Sequence, residues 1–321
     1  MAVISKFGQY VLLQVHSLKG GLVFETDSLK VDFNVMHIPG FSRGRVNITN
    51  LAPATIRALC NSDVGNFVTI STALHDSELK VVMNKMYVSN AIEETKVPES
   101  ITSLFCYSAL RKIYMERHVD VDVARPSIRE LVANPLVAAG YDGNIQFKHF
   151  PPEILDHVPP RGSSRQEGSV SSILDNLGQQ YDFNTYTDDN NLVMLYKPDY
   201  KNVGSTQLYS GAGDIKLATS NMRSNPVIGP AVLHANSNLD VNLKPGSVVD
   251  ISELLTVGTN TDEITLQLAE DYLKEKVAGF TKYQVRSTQH IGTNWGPEWN
   301  TKIIANSPTP GISMSTNKWW L

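Results

Sequence analysis

The densest group of side chains able to do acid–base or metal chemistry is His149, Glu153, Asp156 and His157, within Lys148-His-Phe-Pro-Pro-Glu-Ile-Leu-Asp-His157. A zinc hydrolase places two histidines four residues apart on one helix face, with a glutamate between them as general base. Here the histidines are eight apart and Pro151–Pro152 interrupts them, so the segment reads as a polar loop with a short capped turn. Glu93–Glu94 and Asp188–Asp189 offer paired carboxylates, the residue types of a glycosidase. Neighbours on a strand point to opposite faces, so each pair reads instead as a solvated turn. Gly211-Ala-Gly213 lacks the helix that a phosphate-binding glycine loop must open. His290 lies in a strand pattern, where it orders a hairpin rather than moving protons. No nucleophile has a base beside it. The expectation is therefore no catalytic residue, no metal ligand and no cofactor.

Elements that would position such groups are mostly strands. Val31, Phe33 and Val35 alternate with polar residues, as on a half-buried strand. Similar patterns cover Tyr10–Val15, Val46–Ile48, Phe67–Thr72, Leu79–Met83, Met86–Ser89 and Ile101–Tyr107. Short strands at close spacing predict a small antiparallel barrel over residues 1–115. The pattern then changes. Ser127 with Glu130 forms a capping box ahead of Ile128, Leu131 and Val132. Gly140 and a strand over 144–148 follow. A second helix carries Val170, Ile173, Leu174 and Leu177 on one face, ahead of strands over 182–187 and 192–196. These two helix–strand units form an inserted α/β segment, 116–215, with a loop over 159–168 between them. Strands resume at 231–235 and 239–243 around a polar turn, Asn236-Ser-Asn238. A helix fits 262–278, and a hairpin runs from Tyr283 to Ala305 with Trp299 under its barrel. Residues 216–305 thus read as a second β-barrel, and 306–321 as an extended tail.

Composition agrees with this class. The chain has 321 residues, 41% hydrophobic and 19% charged. That supports real cores with much surface buried in an assembly. A net charge of −4 argues against a nucleic-acid binder, which carries a basic surplus. Cys60 and Cys106, among apolar neighbours, read as buried thiols without a disulfide framework. No basic stretch precedes a long apolar run at the N-terminus, and no stretch of about 18 apolar residues occurs. Neither a signal peptide nor stable membrane insertion is expected, and synthesis is expected in a cytoplasm.

Arg45-Val-Asn-Ile-Thr-Asn-Leu-Ala-Pro-Ala-Thr-Ile-Arg-Ala-Leu59 is a strand running into a helical turn. Its Ile48, Asn50, Leu51, Pro53, Thr55 and Leu59 resemble a motif in the first barrel of baseplate hub proteins of contractile phage tails. Leu243-Lys-Pro-Gly-Ser-Val-Val-Asp-Ile251, with Pro245 and Gly246, resembles that family's "Leu-x-Pro-Gly-x-x-Val" strand entry. Tyr283–Gly292, with His290, followed by Trp299-Asn-Thr301, resembles its closing hairpin. The three motifs stand in the family's order over residues 40–305, and the middle, about 116–215, adds pattern alone. The resemblance, which extends to the hub part of type VI secretion spikes, implies a non-enzymatic structural protein of the virion tail baseplate. It implies a homotrimer whose paired barrels form a pseudo-sixfold ring, adapting the hexameric tail tube to the trimeric central spike. Implied partners are the chain itself, the tube protein, the central spike and surrounding baseplate proteins, with DNA passing through the lumen unbound.

All four tryptophans lie in the last 27 residues. Trp319, Trp320 and Leu321, beside Lys318 and after Pro308-Thr-Pro-Gly311, are read as a partner-binding tip. Docking on a neighbouring subunit or the spike is favoured; a fold-back onto the second barrel of the same chain stays open. Two rivals are a tail-associated cell-wall hydrolase, for which no region is left over, and a glycan- or receptor-binding module, which would expose several aromatic residues on loops.

Overall fold

The computed structural model describes residues 8–60, 65–75, 77–96, 98–108, 110–158, 162–188, 191–196, 215–228, 232–256 and 282–306. The first part holds β1 (Gln9–Ser17), β2 (Leu22–Thr26), β3 (Val31–His37), β4 (Arg43–Thr49), α1 (Pro53–Cys60), β5 (Asn66–Leu74), β6 (Lys80–Lys96) and β7 (Glu99–Tyr107). The middle holds α2 (Arg111–Glu116), β8 (His118–Ala124), α3 (Ile128–Ala138), β9 (Ile145–Lys148), α4 (Pro152–Leu155), β10 (Ser163–Ser169), α5 (Val170–Gln180), β11 (Phe183–Asp188) and β12 (Asn191–Tyr196). The last part holds β13 (Ile215–Lys216), a 3-10 turn at Thr219–Asn221, β14 (Val227–Ile228), β15 (Val232–Asn238), β16 (Val248–Asp250), α6 (Ser252–Thr256), β17 (Lys282–Thr293) and β18 (Trp299–Asn306). The chain is mainly β.

The two outer parts do not form separate sheets. Among the described residues one path runs β14-β15-β18-β17-β3-β4-β7-β6-β5-β1-β2, with β16 also on β17 and β13 on β16. No pairing among the described residues joins β14 to β2, so strand pairing closes no barrel. Apolar residues gather into three main clusters. One, from Val11 to Cys106, takes in Trp299 from the far end of the chain. A second lies wholly within 110–194. A third, built on Leu217, Leu233, Leu243, Tyr283 and Ile303, lies within 217–305.

Local chemistry explains the corner in the first part. Asn50 turns the chain at φ 56, a left-handed conformation that Asn tolerates. Its N–H donates to the Ser100 carbonyl at 2.8 Å, and its Oδ1 accepts from the Ser100 N–H at 3.1 Å. Pro53 opens α1, where its missing N–H costs nothing. Leu51, Ile56 and Leu59 are buried in the first core, as is Ile48.

In the middle, Ser127 and Glu130 form the capping box of α3, and Ser169 caps α5. Gly178 lies within α5, where a Cβ would lie 2.6 Å from the Phe183 carbonyl oxygen. β9 pairs parallel with β12, which pairs antiparallel with β11. Four expectations are corrected. Residues 163–169, expected as loop, form β10 and pair with β8, which is the alternating run His-Val-Asp-Val-Asp-Val. The expected strands at 79–83 and 86–89 are one strand, β6, that continues through a left-handed Lys85. Asn236-Ser-Asn238 is the end of β15, held by pairing with β18, and 239–243 is a turn. Trp299 packs in the first core, not the last, because the β17–β18 hairpin reaches across. Its ring stands edge-on to Phe33 at 6.1 Å. The expected helix over 262–278 lies outside the described residues.

Two substitutions test this core. Leu51→Ala lowers unfolding free energy by about 2–5 kcal/mol in a denaturant titration, the range for emptied core sites. A loss within about 0.5 kcal/mol marks an exposed side chain and contradicts the packing. Ser127→Ala, which removes one cap, costs about 1 kcal/mol by the same measurement.

Candidate functional site

The residues suited to chemistry do not converge. Asp156 pairs with Arg129 at 2.8 Å, which holds the carboxyl below its ordinary pKa through a direct hydrogen bond. Glu153 and His157 are exposed. His149 turns the other way, its Nε2–H donating to the Gly246 carbonyl at 3.0 Å. Glu93 and Glu94 are exposed on β6, Asp188 ends β11, and Asp189 and Gly211–Gly213 lie outside the described residues. Among the described residues no group of three or more His, Cys, Asp or Glu is placed to hold a metal ion. Cys106 is buried, and burial pushes its thiol up to about 12.

What does converge is a polar seam where the three parts meet. β18 shows how it arises. Along one face Trp299 enters the first core, Ile303 and Ala305 enter the third, and Thr301 sits between them, fully buried. On β17, His290 opposes Thr301 and Gly292 opposes Trp299. Gly292 leaves room there: a Cβ would lie 2.4 Å from the Phe33 ring. On β3, Val35 opposes His290, and His37 follows on the same face. The His37 and His290 rings meet edge to face, 5.6 Å apart.

Hydrogen bonds fix the His37 tautomer. Ser42 Oγ donates to the Thr187 carbonyl, so His37 Nδ1, 2.8 Å from that oxygen, is the donor. The Ser42 N–H donates to Thr187 Oγ1 at 2.5 Å, and the Gly40 N–H to the Thr185 carbonyl at 2.7 Å. These bonds tie the β3–β4 connection to β11 of the inserted segment. His290 Nδ1 lies 2.9 Å from Thr301 Oγ1, which also accepts from the Asp240 N–H at 3.0 Å. Burial pushes the His290 pKa well below the ordinary histidine range, and the charges of His37 and Lys244 push it the same way.

A second attachment joins the inserted segment to the last part. Gly246 is left-handed at φ +84, and its N–H donates to the Val285 carbonyl at 2.9 Å. Its own carbonyl receives His149, and Lys148 Nζ donates to the Pro245 carbonyl at 3.4 Å. A Cβ on Gly246 would lie 2.6 Å from Lys148 Cδ and 3.2 Å from Leu195 Cδ1. Burial lowers the His149 pKa; the Gly246 carbonyl opposes this, and the Lys148 and Arg286 charges add to it. Arg286 is the extra residue of a bulge in β17 and is 7% exposed. Its charge partly offsets the burial that raises the Tyr186 hydroxyl.

Sequence reasoning singles out His290, Pro245, Gly246 and Trp299, and the structure places all four at or beside this junction. It misses His37, Ser42 and Thr187. His37 is within reach of the pattern, since it is the next inward position after Val31, Phe33 and Val35. Trp319, Trp320 and Leu321 lie outside the described residues.

No protein-family model matches this chain, and no curated protein matches it. Solved structures do. A tail protein from Neisseria meningitidis MC58 superposes with a TM-score of 0.56 at 9% identity, covering 94% of this chain and 97% of that one. The fold is that of phage tail proteins. The 43 kDa tail protein of prophage MuSo2 from Shewanella oneidensis matches with a TM-score of 0.54 at 9% identity, covering 93% of this chain and 98% of that one. A chain of the half-lidded Francisella PdpA–VgrG complex gives 0.52 at 7% identity, with 96% of this chain matching 60% of that one. The tail-protein fold thus accounts for the inserted segment as well as for both β parts.

Gly246→Ala tests the second attachment. A left-handed non-glycine residue costs about 1–2 kcal/mol, and Lys148 must also move. Chemical denaturation shows a loss of at least about 1 kcal/mol; a change within about 0.5 kcal/mol contradicts the close approach.

Proposed function

We propose that this chain is a structural component of a contractile phage tail, and within it the baseplate hub. The observation that carries this is the fold match over nearly the whole length of two phage tail proteins. The three motifs around Ile48–Pro53, Pro245–Gly246 and His290–Trp299 favour the hub among tail proteins.

In this reading three copies surround the tail axis. Each contributes two β parts, so six similar modules face the hexameric tube and three whole subunits face the central spike. Each β part acts as an open barrel unit whose remaining edge is covered by a neighbour. The outermost strands of the path, β2 and β14, are the candidates, since each has an edge unpaired among the described residues and such an edge invites pairing. Leu22 and Val227 on those strands are exposed. Surrounding baseplate proteins pack outside, and DNA passes through the lumen without specific contacts, consistent with a net charge of −4. The tip at Trp319, Trp320 and Leu321 docks on a neighbouring subunit or the spike. The chain is not an enzyme.

Two measurements test this. Within assembled particles, copy number per baseplate is three, or a multiple set by the number of rings, and image reconstruction shows three around one axis; one, two or six per ring overturns the architecture. Purified protein leaves peptidoglycan intact in a zymogram. Hydrolysis abolished by His149→Ala, His157→Ala or His290→Ala overturns the non-enzymatic reading.

A further inference from the structure

Of the eight histidines, the two that are buried are His37 and His290, and they touch each other. They stand between two apolar cores and beside the bonds that tie the inserted segment to the β parts. We propose that this pair is a proton-operated latch: neutral, it holds the inserted segment on the β sheet, and protonated, it releases that segment while the sheet stays folded.

The geometry carries the argument. His37 Nδ1–H is committed to Ser42 Oγ, and Ser42 is committed twice to Thr187 of β11. His290 Nδ1 is committed to Thr301, which the Asp240 N–H also holds. A proton added to the His37 ring must therefore go to Nε2. The charged and titratable groups facing His290 are His37 from β3 and Lys244 from the segment before β16; both disfavour a cation, and the Leu243 carbonyl acts the other way. Ser42, Thr187 and Thr301 bring no negative charge. An imidazolium among these groups is a buried cation, strongly disfavoured unless the site opens to water.

Opening is local. It breaks the hydrogen bonds of Ser42 to Thr187 and of Gly40 to Thr185 and the Pro39–Tyr186 bridge, all between the β3–β4 connection and β11, and it uncovers Tyr186, Val193 and Leu195. The inserted segment keeps its own apolar core, and β3 stays paired with β4 and β17. The other attachment is also built on a histidine, His149 against Gly246, with Lys148 and Arg286 adding positive charge nearby. Acid thus weakens both seams in the same direction. The sign follows from linkage at His290: the open form binds its proton at the ordinary histidine pKa of about 6.5, the closed form only well below it. The closed state is fully favoured above that pH and loses about tenfold per pH unit, for each proton, below it.

Hydrogen exchange on the full-length protein from pH 7.5 to 5.0, corrected for intrinsic exchange chemistry, tests the latch. Protection at the Gly40 and Ser42 amides falls at least about tenfold per pH unit below about 6.5, while Val46 and Ile48 in β4 keep theirs. In a His37→Gln/His290→Gln variant the junction amides lose this pH dependence. Unchanged protection at 40 and 42, or loss in step with 46 and 48, overturns the proposal. Should the double variant fail to fold, imidazole nitrogen spectra of the wild-type protein decide. Ring protonation in step with opening supports the latch; rings still neutral when the junction opens overturn it.

Discussion

The structure depends on one strand, Lys282–Thr293, being hydrogen-bonded to partners from both β parts. Along one edge its first three residues pair with Val248–Asp250 and its last six with Asp32–His37. Along the other it pairs with Trp299–Asn306. A strand used this way joins two sheets into one and fixes the angle between two cores. It also fixes which side chains face them. A register slip of one residue would turn every inward side chain outward. The bulge at Arg286 makes that correction once, so that Val285 faces the last core and Thr288, His290 and Gly292 continue the same inward face toward the first.

Joining two cores through one sheet leaves a gap that neither core fills. Here the gap is filled with Thr301, His290, His37 and Ser42, each with a hydrogen-bond partner. Buried polar groups that are satisfied add specificity more than stability. The same groups receive the inserted segment through Thr185 and Thr187. The seam is therefore both the joint between the β parts and the socket of the third part. In the proposed hub role, fixed geometry between two modules would be the useful property, because symmetry matching requires both to meet the tube in a set orientation.

Much of this is legible in the chain. Strands with clean alternation, such as Val31–His37, and helices with a capping box, such as that after Ser127, follow from local patterns that tertiary contacts do not override. The segments at Asn50–Pro53 and Pro245–Gly246 carry turn chemistry that only a few residue types allow. What stays hidden depends on distant partners. Ser163–Ser169 is polar and holds as a strand only because it pairs with His118–Ala124. Asn236-Ser-Asn238 looks like a turn and is held extended by Asn300–Lys302. Trp299 reads as part of the nearer core because nothing in its neighbourhood shows that its hairpin crosses to another. Ser42 and Thr187 lie 145 residues apart and have no shared pattern.

The central claim is that the shared strand makes the two β parts one cooperative body. Hydrogen exchange of the intact chain at neutral pH under rising denaturant measures this directly. The account predicts that amides of Val31–His37 and of Trp299–Asn306 lose protection together, at one denaturant concentration and with one free energy of opening. Two separate openings, with the first part still protected after the last has exchanged, would show independent domains joined by a tether and would contradict it.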